Sequence, residues 1–206
     1  MKMLKVLTAV AFLIIISAFA VENFEVAPDG YEIGDEATDF SLKNIDGKMV
    51  SLSDYNSAKG FIVIFTCNTC PFAQANESRI IALDKKFASQ GYPVIAINPN
   101  NPSMQPGDSF SAMQKKAKAK GYSFPYLYDD EHEVFAQYGA TKTPHVYILH
   151  KENDAYIVKY IGAIDDSARD IDNVDKKFVE EAVEALIKGD PVPVETTKAI
   201  GCSIKA

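Results

Sequence analysis

The run from Gly60 to Phe65 (GFIVIF) constrains this chain more than any other stretch. Six apolar or small residues with no polar alternation fit a strand buried on both faces of a sheet. Thr66-Cys67-Asn68-Thr69-Cys70-Pro71-Phe72 follows directly, and beyond it the spacing turns helical. Ile80, Leu83 and Phe87 line one helix face, and Gly91 is placed to end it. A Cys-x-x-Cys pair therefore sits where a buried strand passes into a helix.

Two thiols at that spacing can close into a small disulfide ring and open again. The free N–H groups and positive dipole end of the helix favour thiolate over thiol. This predicts a lowered pKa and a nucleophilic role for Cys67, with Cys70 as the resolving thiol that releases a mixed disulfide. The same spacing also suits half a zinc site or an inert structural disulfide. The zinc reading lacks ligands, because the remaining Cys202 and the three His have no metal-site spacing. No cofactor and no metal is expected.

Lys2 and Lys5 precede an apolar run from Val6 to Ala20 that ends Ala18-Phe19-Ala20, the order of a secretory signal. Residues 1–20 are expected to be removed, leaving no stable membrane insertion, since the run is short for a spanning helix. The mature chain would hold 186 of the 206 residues, enough for one domain with a sizeable core. Without the signal, 19 basic residues stand against 28 acidic ones, a formal charge of −9 that argues against nucleic acid as a partner. Export to the periplasm or the extracellular space places the cysteines where disulfides persist. The expected partners are disulfide-containing or thiol protein substrates and a redox protein that recharges the pair.

Residues 21–30 read as a linker or N-terminal arm. Asp46-Gly47 between two short alternating runs signals a hairpin. Strands follow at Tyr92 to Asn98 and Phe124 to Tyr128, with a Pro- and Asn-rich loop from Pro99 to Gly107 and a helix from about Asp108. Lys115, Lys116, Lys118 and Lys120 are expected on that helix's solvated face. A short helix from Asp130 to Tyr138 precedes Thr143-Pro144, where a Pro opens a strand from His145 to Leu149. A hairpin strand from Asp154 to Ile164 leads to a last helix from about Ile171 to Lys188, expected to bury Val174, Phe178, Ala182, Val183 and Leu186. Residues 189–206 form an extended C-terminal tail.

Gly34-Asp35, Asp39-Phe40, Leu42, Asp46-Gly47 and Leu52, followed by the CxxC and Thr143-Pro144, resemble the redoxin branch of the thioredoxin superfamily. Phe65 to Pro71 and the terminal Ala199 to Lys205 resemble its peroxiredoxin-like, AhpC/TSA-type members. The resemblance covers about residues 31–188. It implies an α/β thioredoxin-like fold, a central mixed sheet flanked by helices, with an N-terminal β-hairpin and a mid-chain insertion. It also implies a cis Thr143-Pro144 loop facing the CxxC and positioning an extended substrate.

Departures from the family limit that inference. Thioredoxin carries a Trp before its first Cys and Gly-Pro between the two; this chain has Thr66, then Asn68-Thr69, and no Trp. If Cys70-Pro71 is set in the peroxiredoxin register, Cys67 replaces the expected Thr and Val63 the expected Pro, and only Arg79 and Arg169 could supply the Arg. The expected activity is thiol–disulfide oxidoreduction, with a thiol-dependent peroxidase as the alternative. A Cu(I)-binding module using the cysteines and His145 is a third reading. Cys202 is open between two roles, a resolving thiol for the CxxC and a buried tail thiol.

Overall fold

The structure is a computed structural model that describes residues 30–206. The expected signal and nearly all of the N-terminal arm lie outside the described residues. Among the described residues no helix is long and apolar enough to cross a membrane.

Seven strands form one mixed sheet: β1 (Leu42–Asn44), β2 (Met49–Val50), β3 (Gly60–Phe65), β4 (Val94–Asn98), β5 (Tyr126–Tyr128), β7 (His145–Glu152) and β8 (Ala155–Gly162). Their order is β2-β1-β5-β4-β3-β7-β8. The β3, β4 and β5 strands run parallel at the centre, while β7 and β8 and the β1–β2 hairpin add antiparallel edges. A separate two-stranded ladder joins β6 (Lys142–Thr143) to β9 (Cys202–Ser203).

The pleat of β3 explains its unbroken apolar sequence. Ile62 and Ile64 face one core with Val94, Ala96, Val146 and Ile148, against α1 (Pro71–Phe87), α2 (Phe110–Lys120) and α4 (Phe178–Lys188). Phe61, Val63 and Phe65 face the other, with Ile95, Ile97 and Tyr147, against α3 (Glu133–Tyr138) and the segment around Phe40 and Leu52. A fully buried Ile, Val or Phe contributes roughly 1.5–3 kcal/mol. A strand supplying five such side chains to two cores fixes the position of the residues that follow it.

α1 closes as expected, through a 3-10 turn to Gly91 in the left-handed region at φ 97°. The last helix does not start at Ile171. Ile171–Asn173 form a 3-10 turn, in which the Asp170 carboxylate accepts from the Asp172 N–H at 3.0 Å, and α4 begins at Phe178. The density of Asp around this turn favours local side-chain capping over helix. Val174 is therefore outside the helix, and the buried face is Val179, Ala182, Val183 and Ala185, with Phe178 and Leu186 half-buried.

Candidate active site

The CxxC segment is held from beneath by one carboxylate. Asp108, fully buried, accepts from the N–H of Asn68 at 2.7 Å and of Thr69 at 3.0 Å, from the Thr69 hydroxyl at 2.8 Å and from Asn100 Nδ2 at 2.7 Å. The two residues between the cysteines thus have their backbone donors committed to a single side chain. Asp108 comes from the insertion between β4 and α2, and Gly107 lets that turn approach, since a Cβ there would lie 2.6 Å from the Thr69 methyl. Asn68 is fixed further: Tyr126 Oη donates to its side-chain carbonyl at 3.0 Å, and Lys116 Nζ donates to its main-chain carbonyl at 2.9 Å. Lys116 is not on a solvated face. It is paired with buried Glu77 of α1, which Lys120 also reaches at 3.0 Å.

The Thr143–Pro144 bond is cis, and Thr143 stands against both sulfurs. Cys67 Sγ and Thr143 Oγ1 share a hydrogen bond at 3.3 Å, and the Cys70 S–H donates to the Thr143 carbonyl at 3.1 Å. Cys67 and Cys70 are each only 3% exposed. All three cysteines among the described residues are free thiols.

The two thiols are pushed in opposite directions. The hydrogen bond to Cys70 and burial together push the Cys67 thiol up, with Asp108 nearby adding to the effect. Hydrogen bonding from the Cys67 S–H pushes Cys70 down, assisted by the Cys202 S–H and the N–H groups of Ala73 and Cys202. This corrects the sequence expectation of a lowered pKa at Cys67. α1 begins at Pro71, so Cys70 is the N-cap residue beside the free N–H groups, and Cys67 lies a full turn ahead of them.

The C-terminal tail lies over the sulfurs. β9 pairs antiparallel with β6 in the register Thr143↔Cys202 and Lys142↔Ser203, and the Cys202 N–H donates to Cys70 Sγ at 3.4 Å. The Ile204 N–H donates to the Thr141 carbonyl at 3.3 Å, and the Lys205 N–H donates to Asn100 Oδ1 at 2.9 Å. Asn100 thereby links the tail to Asp108. Upstream, the Thr197 N–H donates to the Ile161 carbonyl at 3.0 Å, and Thr197 Oγ1 accepts from the Ala163 N–H at 2.9 Å and shares a 2.6 Å bond with Tyr160 Oη.

The other candidates hold contacts of their own. His145 is buried under the Thr141–Pro144 turn, where Nδ1 accepts from the Thr141 N–H at 3.4 Å, and burial pushes its pKa down to about 4. Among the described residues no three of His, Cys, Asp and Glu gather as a metal site. Val63 is interior to β3. Arg79 is committed to Asp165 at 2.9 Å, and Arg169 lies 4.0 Å over the Phe72 ring. Arg79 is thereby taken up in a buried ion pair, while the charge of Arg169 reaches Cys202. Sequence reasoning missed Asp108, Asn100 and Glu77; the Pro106-Gly107-Asp108 turn was visible, but its partner was not.

The sheet order, the CxxC at the β3–α1 junction and the Thr143-Pro144 turn define a protein of thioredoxin-like fold. Residues 33–167 match the AhpC/TSA family, and the chain belongs to that family. It is 25% identical over 129 residues to the thiol-disulfide oxidoreductase ResA of Geobacillus thermodenitrificans, spanning 63% of this chain and 70% of that protein. The crystal structure of an uncharacterized conserved protein from Geobacillus kaustophilus superposes with a TM-score of 0.78 at 36% identity, over 85% of this chain and 92% of that one. A thiol:disulfide interchange protein of the thioredoxin family from Chlorobium tepidum shares the fold, with a TM-score of 0.50 at 19% identity over 62% of this chain and 85% of that one.

Proposed function

We propose that this protein is an exported thiol–disulfide oxidoreductase whose redox pair is Cys67 and Cys70, with Thr143-Pro144 positioning the substrate. The observation that carries the reading is the convergence of both sulfurs on Thr143 at the β3–α1 junction. The similarity to a ResA named as a thiol-disulfide oxidoreductase supports it. Cys70 is the attacking thiolate in this proposal, because the charge is stabilised there, and Cys67 closes the ring. Attack on a substrate disulfide forms a mixed disulfide at Cys70 and expels one substrate thiolate. Cys67 then attacks Cys70, and the second substrate thiol leaves reduced. Export rests on residues 1–20 and predicts a secreted product that begins at Val21, which N-terminal sequencing would check.

The test is equilibration of the protein with glutathione redox buffers, followed by reduction of a protein disulfide such as that of insulin. One two-electron transition is expected, with turnover lost in both Cys67→Ser and Cys70→Ser. Failure of the pair to form a disulfide would sink the proposal. A second reading, thiol peroxidase, is favoured by the downward push on the Cys70 thiol, at the residue that precedes Pro71. Hydrogen peroxide consumption that survives in Cys67→Ser and disappears in Cys70→Ser would establish it.

A further inference from the structure

A chain with a site of this kind must offer its sulfurs to another molecule, yet here both are nearly inaccessible. Cys202 of the C-terminal tail packs over them, together with Phe72 and Thr143. The cover is built like a bound strand: an extended segment adds itself to the exposed edge of β6, with main-chain bonds providing the attachment. The residue opposite Thr143 in that ladder is Cys202, and both its N–H and its S–H reach Cys70.

Two glycines show that this docking is built into the sequence. A Cβ on Gly201 would lie 2.2 Å from the Thr143 carbonyl oxygen and 2.7 Å from its carbon, so only glycine lets the tail descend onto the loop beside the sulfurs. A Cβ on Gly162 would lie 2.1 Å from Thr197 Oγ1 and 2.6 Å from the Thr197 carbonyl, and Gly162 has φ 154°. Close contacts of this order cannot be relieved by moving a flexible side-chain end, because backbone lies on both sides.

We propose that the tail occupies the edge a substrate strand would take, and that Cys202 is a third redox thiol that exchanges disulfide bonds with Cys70. This rests on the thiol–disulfide reading above and extends it. With Cys67–Cys70 already oxidised by a substrate disulfide, Cys202 loses its proton and its thiolate attacks Cys70 Sγ. The Cys70–Cys202 bond forms, the Cys67–Cys70 bond breaks, and its electron pair goes to the Cys67 sulfur, which takes up a proton. No net oxidation occurs, so no further reactant is needed. Burial pushes the Cys202 thiol up to about 11, with hydrogen bonding and charge from Cys70 adding to this, while Lys205 and Arg169 oppose it. Both Cys70 contributions vanish once Cys70 is bonded to Cys67. The exchange replaces Cys67, 3% exposed, by the half-buried Cys202 as the partner of Cys70 in the oxidised bond.

Tryptic digestion separates the alternatives, because Cys67 and Cys70 fall in one fragment, residues 60–79, and Cys202 falls in another, residues 199–205. The full chain is oxidised with glutathione disulfide, acid-quenched, blocked with N-ethylmaleimide and mapped by mass spectrometry. Cys67→Ser is expected to give an intramolecular link between the two fragments in most molecules, and Cys70→Ser to give little. Gly201→Ala keeps all three thiols; it should lower the cross-fragment link severalfold and raise iodoacetamide labelling of the CxxC thiols severalfold. A Cys67→Ser protein that stays fully reduced, or a Cys70→Ser protein that links as well, overturns the inference. If wild type forms Cys67–Cys70 and neither single variant links to Cys202, the inference fails while the oxidoreductase reading stands. If wild type forms no disulfide, the underlying reading has failed as well.

Discussion

The CxxC is held between two surfaces built on opposite terms. Its floor is Asp108, with four donors converging on one buried carboxylate, backed by Tyr126 and Lys116 on Asn68. Its roof is the tail, attached by main-chain bonds to a two-residue strand and by Thr197 to the end of β8. Charge-assisted bonds inside a protein are costly to break because the partners are left desolvated. Edge bonds near the surface are exchanged for water at small cost. The difference teaches that the CxxC segment is fixed from below by a buried carboxylate, while the tail above it is held by a short ladder and one threonine.

Breaking the floor should have the largest effect. Asp108→Ala strands several buried donors and is expected to lose about 3–5 kcal/mol of stability, read as a lower urea midpoint with unchanged slope. A loss under about 1 kcal/mol would mean that the floor is no firmer than the roof.

Acid should act on the roof next. His145 is neutral when folded, and its folded pKa of about 4 lies below the ordinary 6.5. A depressed pKa contributes stability that is complete above 6.5 and is lost as pH falls towards 4, by about 3 kcal/mol at most. The protonated ring can no longer accept from Thr141, whose carbonyl holds Ile204 of the tail. Denaturation curves across that pH range should flatten in His145→Gln, where a side-chain oxygen can still accept. An equally steep curve in the variant would assign the acid sensitivity elsewhere.

Smaller effects separate the parts of the roof. Thr197→Val removes the acceptor of the Ala163 N–H and the partner of Tyr160 Oη, and should cost about 1–2 kcal/mol while speeding amide exchange in the tail. Lys142→Ala removes only an exposed 3.0 Å bond to Ser203 Oγ and should change stability by less than about 0.5 kcal/mol. If the Lys142 change opened the site as far as Thr197→Val does, the roof would depend on side chains at its tip instead of its anchor at β8.

Much of this was legible in the sequence where local pattern carries the information. GFIVIF named a doubly buried strand because six residues with no alternation leave no solvated face. Asp46-Gly47 and Gly91 marked turns, and the positive φ of Gly47 and Gly91 bears them out. Thr143-Pro144 could be matched to a loop because its partner, the CxxC, was also visible. The floor was not legible, since Asp108 lies forty residues from Asn68 and an isolated Asp after Pro-Gly looks like any turn. Lys116 looked solvated because helical spacing cannot show that Glu77 is buried beneath it. The charge was assigned to Cys67 because its residue type and position suggested a helix start, whereas the helix begins one residue after Cys70. The tail was read as extended, and it is, but its docking edge depends on a strand of two residues that no periodicity could reveal.

The tail also sets a timetable. All seven strands of the main sheet and the CxxC are specified by residue 162, whereas the strand that covers the sulfurs comes from residues 202–203. On the proposal above, a protease that cuts between α4 and residue 202 should therefore release the cover first and leave the sheet, its core and the thiol pair in place.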